Sequence, residues 1–158
     1  MDMVAHPRGE QATLRYLSEA RNAHDDLRAA LTQTAGYALL LMTSTGRPTL
    51  AEAAIRGAET AAARCQEQIR ALHVPQRAAH HHHHLYGASE MLRQACAAAL
   101  CSGRPGATDG ERDALIAALQ GAVEHLRAVA RLVPGFETVN FGQACCALHA
   151  PPEASAVN

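Results

Sequence analysis

Five consecutive histidines, His80 to His84, stand in the middle of the chain within "RAAHHHHHLYGASEMLRQ". Neutral imidazole is the commonest metal-binding side chain and titrates close to physiological pH. The run has no flanking Gly/Ser linker, and the apolar pattern continues on both sides of it, which marks it as part of the protein rather than a tag. An α-helix turns about 100° per residue, so five consecutive side chains point five ways and cannot all ligate one ion. Heptad phase puts His81 on the buried seam of its helix, His82 and His84 beside it, and His80 and His83 toward solvent.

A second histidine, His24, falls on the buried seam of an earlier helix. Counting outward from the intervening turns brings His24 and His81 to one level on diagonally opposite helices, with His73, His125 and His149 toward the same end. Facing core histidines can hold a transition metal or bind haem iron axially. Cys65 lies within about one turn of that level and is the candidate third ligand. Cys145, Cys146 and His149 are weaker candidates. The structural alternative is a pair of buried polar residues, bonded to each other or to water, that fixes helix register.

Several chemistries lack their residues. A carboxylate-bridged di-iron bundle needs Glu-x-x-His on two helices, yet Glu19 is followed at that spacing by Asn22, Glu90 by Arg93 and Glu124 by Arg127. No H-E-x-x-H, G-K-[ST] or C-x-x-C-H occurs. The Gly-rich "SGRPGATDG" therefore reads as a helix connection. Cys145 and Cys146 are neighbours with Cα atoms about 3.8 Å apart, so a bond between them would be strained. Cys65 and Cys96 fit buried structural thiols.

The elements that position these residues are read from four stripes of apolar residues three and four apart. They are Leu17, Ala20, His24, Leu27, Leu31 and Ala38; Ala51, Ile55, Ala58, Ala62, Cys65, Ile69 and Leu72; Ala78, His81, Leu85, Ala88, Leu92, Ala95 and Ala99; and Leu115, Leu119, Ala122, Leu126, Val129 and Val133. Each stripe suits one amphipathic helix. "TLAE" from Thr49 and "TDGE" from Thr108 have capping-box spacing, and "STGRP", "LHVP" and "CSGRPGATDG" supply turns. The spacing predicts an all-α fold, an antiparallel up-down-up-down four-helix bundle with helices of about 10–42, 49–73, 76–101 and 109–133. A tail over 134–150, with both Phe residues of the chain, would complete a single domain of residues 1–150, and 151–158 would be disordered. "GRP" recurs at Gly46 and Gly103, an offset that carries His24 onto His81, as two related helical hairpins would.

Composition narrows the partners. The chain has 158 residues, 48% hydrophobic, only 3% aromatic and without Trp. Ala, Leu, Val and Ile must then fill the core, which favours closely packed helices. All 14 basic residues are Arg, scattered without a basic block, and the net charge is −1. Nucleic acid is not an expected partner, because phosphate binding needs clustered positive charge. The N-terminus does not read as a secretory signal, and the apolar run "GYALLLM" is too short to span a bilayer, so a cytoplasmic protein without a membrane partner is expected. The Ala-lined faces and Phe-containing tail favour a non-enzymatic module that binds another protein or itself; the alternative is a metal- or haem-binding bundle.

Overall fold

A computed structural model describes residues 7–43 and 48–137. Cys145, Cys146, His149 and Phe141, the side chain of Thr49 and the terminal segment 151–158 lie outside the described residues. The fold is all-α: helices α1 (Pro7–Met42), α2 (Pro48–Ala71), α3 (Ala79–Ser102) and α4 (Asp109–Leu132), with no strand among the described residues. None of these helices is long and apolar enough to cross a membrane.

Local chemistry sets the boundaries. Thr108 caps α4: its hydroxyl accepts from the Glu111 amide, and the Glu111 carboxylate accepts from the Thr108 amide, so two otherwise unpartnered N–H groups are satisfied. The turn before it passes through Gly106 at φ +85°, a conformation that only glycine adopts without strain. At its far end α4 stops at Leu132 because Pro134 pushes Val133 into an extended conformation. The third helix starts later than 76: Pro75 is extended, Gln76–Ala78 form a single 3-10 turn, and α3 begins at Ala79. The histidine run therefore occupies the first turns of α3.

At their contacts, residue numbers rise together along α1 and α3, where Tyr16 meets His81 and Thr34 meets Cys96. They run in opposite senses along α2 and α3, where Ile69 meets His82 and Gln66 meets Arg93. Packing is most extensive between α3 and α4 and sparse between α1 and α4, and among the described residues α2 and α4 do not touch. The seams of α3 and α4 bury as their heptads require: Leu85, Ala88, Leu92, Ala95 and Ala99 face Leu115, Leu119, Ala122, Leu126 and Val129 in the core.

On α1 the buried face is shifted. Tyr16, Ala20, Ala23, Leu27, Ala30, Thr34 and Tyr37 are all buried, a second stripe with regular four-and-three spacing. Leu17 and Leu31, expected in the core, are only partly buried. The shift follows from the neighbours: α1 packs against α2 and α3 and hardly touches α4, so its apolar face turns toward the first two.

Leu92 and Leu126 are each 1% exposed in one core cluster. Leu92→Ala and Leu126→Ala should each destabilise the bundle by about 2 to 5 kcal/mol in urea unfolding. Losses below about 0.5 kcal/mol, the range of an ordinary surface substitution, would show that these seams are not the core.

Candidate functional site

The start of α3 gives the five histidines five different surroundings. His80 and His83 are exposed, His82 and His84 half-buried and His81 buried, in the order the helical phase predicts. His82 directs Nε2 to the Ile69 carbonyl oxygen at 3.0 Å, which ties α3 to the end of α2. His84 is flanked by His80 Nε2 on one side and His125 Nδ1 of α4 on the other, each at 3.0 Å. His83 stacks edge-on to His84, with centroids 5.3 Å apart.

The core pair is brought together by a residue from beyond α4. Gly135 at φ +95° turns the chain back, and Phe136 enters the core at 4% exposure. Its ring packs edge-on against both imidazoles, 5.0 Å from His24 and 4.8 Å from His81, centroid to centroid. Arg21, one turn before His24, donates to the Gly135 carbonyl oxygen and lies over the Phe136 ring. The pairings of Tyr16 with His81 and of Thr34 with Cys96 place His24 further along the bundle than His81 rather than at the one level expected, and the Phe136 ring spans the two imidazoles.

Each imidazole is held through Nδ1. His24 Nδ1 donates to the Asp25 carboxylate at 3.1 Å, leaving Nε2 as a lone-pair acceptor. His81 Nδ1 lies 2.9 Å from the Tyr16 hydroxyl. Burial pushes the Tyr16 pKa upward, so the hydroxyl keeps its proton. The buried O–H is satisfied by donating to His81 Nδ1, which places the His81 proton on Nε2. Both Nε2 atoms are buried without a hydrogen-bond partner among the described residues. One is an acceptor and the other a donor. A haem ligated by both rings would have to displace Phe136.

Cys65 is fully buried on α2, and burial pushes its thiol up to about 11, so it is a protonated core residue. It does not gather with the two histidines: among the described residues no group of three or more His, Cys, Asp or Glu side chains is placed to hold a metal ion. Cys96 is buried, Cys101 is half-buried, and both are free thiols. Comparison with known protein families, with curated proteins and with solved structures returns no match, so chemistry at this site rests on its own geometry.

Tyr16, Phe136 and His125 complete the histidine environments, and heptad reasoning on the His24 stripe passes over all three. Tyr16 had a usable signal, since Tyr16, Ala20, Ala23 and Leu27 have the same spacing as the stripe one position on. His125 over Gly87 had none, because the approach joins two helices through a missing side chain: a Cβ at residue 87 would lie 2.5 Å from His125 Cε1.

The buried pair ties stability to pH. Burial first, then the neighbouring imidazoles of His24, His82 and His84, lowers the His81 pKa from 6.5 to about 4. Burial lowers that of His24 too, outweighing the attraction of Asp25. In the unfolded chain both rings take up protons near their ordinary value, so the unfolded state binds more protons between pH 6.5 and 4. Stability is therefore full above about pH 6.5 and falls toward pH 4, by on the order of 3 kcal/mol from His81 alone. Urea unfolding at pH 7.5, 6, 5 and 4.5 should show this fall, and His81→Gln should flatten it. An acid limb equally steep in wild type and His81→Gln would refute a buried neutral His81.

Proposed function

We propose that the protein is a non-enzymatic helical module that self-associates through its α1–α4 face. The observation that carries this is a continuous apolar strip where the bundle is least closed. A groove of about 590 Å³ runs between α1 and α4, lined by Leu31, Ala35, Ile116, Leu119 and Val123. Along α1 the strip continues from Leu31 and Ala35 through Leu39 and Met42, spaced four, four and three, and Leu39 and Met42 are 65% and 55% exposed. Helix α1 is 36 residues long against 24 for each of the others, about 18 Å longer, and Leu39 and Met42 stand on its last turns.

A second copy suits this surface. Apolar strips of this length favour burial against another surface, and an isologous pairing lets the exposed Leu39 and Met42 of each copy meet the groove of the other. The rim residues Glu124 and Arg127 pair with each other, so the rim selects for neither an acidic nor a basic partner. A net charge of −1 opposes self-association only weakly.

A second proposal rests on the two buried Nε2 atoms. With His24 and His81 each engaged through Nδ1, both buried Nε2 atoms are left without a protein partner among the described residues, and a metal ion bound there would have ligands whose other nitrogens are already held, as metal-ligating histidines usually have. The His81 ring would have to move its proton to Nδ1 and make Tyr16 the acceptor. Elemental analysis of untagged protein tests this: about one equivalent of metal that resists chelation and disappears in His81→Gln supports it, and metal-free protein with an unchanged fold rejects it.

For self-association, sedimentation velocity at about 10 to 100 μM should show a dimer. Leu39→Glu and Ile116→Glu should each weaken it at least tenfold, about 1.4 kcal/mol, without loss of helicity. Leu132→Glu, exposed at the opposite end, should leave it unchanged. A wild-type chain that stays monomeric at 100 μM overturns the proposal.

A further inference from the structure

The histidine run presents one pair of nitrogens to a common point in solvent. His80 and His84 are one helical turn apart on α3, and their Nε2 atoms are 3.0 Å from each other. A metal with M–N bonds of about 2.0 to 2.1 Å, bound by both atoms at that separation, has an N–M–N angle of about 94°. That is the cis angle of a square-planar or octahedral ion; a tetrahedral site would need the nitrogens about 3.3 to 3.4 Å apart. The other histidines of the run aim elsewhere: His81 at Tyr16, His82 at the Ile69 carbonyl, and His83 at neither partner's nitrogen.

Helix α4 supplies what a bare histidine run lacks. For His84 to offer the Nε2 lone pair, its proton must sit on Nδ1, and His125 Nδ1 lies 3.0 Å away to accept it. A ligating histidine that donates its other N–H to a fixed acceptor keeps the right tautomer and ring orientation. His125 occupies its place because residue 87 is glycine, since a Cβ there would collide with the imidazole at 2.5 to 2.8 Å.

We propose that His80 and His84 form a bidentate surface site for a tetragonal divalent ion of the Cu(II) or Ni(II) class, with His125 as its positioning residue and solvent filling the remaining coordination positions. Two protein nitrogens are all that converge there, in keeping with the absence of any three-residue metal cluster among the described residues. The site is independent of the self-associating face and of the buried His24 and His81 pair.

Untagged, chelator-treated full-length protein would be titrated with Cu(II) in a glycine-buffered competition, followed by electron paramagnetic resonance. One tetragonal Cu(II) per chain with two equatorial imidazole nitrogens is expected. His80→Gln and His84→Gln should each weaken binding at least tenfold and remove the two-nitrogen signature, while His82→Gln and His83→Gln change affinity less than twofold. His125→Leu should weaken binding about tenfold, and Gly87→Ala, which displaces His125 without touching either ligand, should match it. His125→Asn, whose amide oxygen can accept from His84, should recover most of the loss. Circular dichroism on each variant confirms that the helices persist. Equal losses across all five histidines, or unchanged binding in His84→Gln, would show an adventitious ion only and overturn the site. Full affinity in both His125→Leu and Gly87→Ala would overturn the role of His125.

Discussion

The close approach of α3 and α4 is the constraint on which the rest of the architecture depends. Their shared seam is rich in Ala, and two glycines let side chains cross where a Cβ would collide: Gly87 receives the His125 ring, and Gly121 receives Met91, whose Sδ would lie 2.9 Å from a Cβ at that position. Small residues bring helices close and multiply van der Waals contacts that are individually weak. Committed to α3, α4 has little packing left for α1, which turns its own apolar face toward α2 and α3. The open α1–α4 seam is the consequence, and Leu31 and Ala35 line it rather than fill the core.

The second organising feature is the burial of two imidazoles without a full set of partners. A buried polar group left unsatisfied destabilises a fold by about 1 to 3 kcal/mol, so a core that keeps two such nitrogens must hold them by other contacts. Tyr16 and Asp25 each take one ring nitrogen, and Phe136 covers both rings, itself anchored by Arg21. Residues from α1, α3 and the chain after α4 meet at this point. Because the neutral rings resist protonation there, the same contacts that close this end of the bundle make it sensitive to acid.

The five adjacent histidines show how far a fold can differentiate identical side chains. His81 is a core residue with a depressed pKa, His82 a tie to the end of α2, His84 the centre of a chain of ring contacts, and His80 its exposed end. Successive 100° rotations sort the run into these surroundings. The proposed surface chelate uses only the pair that the rotation returns to one face, and its distinguishing part, His125, comes from another helix.

Helical class, approximate helix ends, the α3 and α4 seams and the solvent or core side of His24 and of the five adjacent histidines were all legible in the chain, because they depend on local periodicity and on capping and proline chemistry. The relative level of His24 and His81 was less so, since it is Tyr16, eight residues before His24, that meets His81. The face of α1 was not: the stripes through Leu17 and through Tyr16 share Ala20 and Leu27 and differ by one position elsewhere, and only the choice of neighbouring helices decides which is buried. Beyond Pro134 the periodic signal ends, so the return of Phe136 onto both imidazoles depends on a glycine turn and an arginine 114 residues away. The His125 contact rests on an absent side chain at Gly87, and the space left by a missing Cβ acquires meaning only when another helix is packed against it.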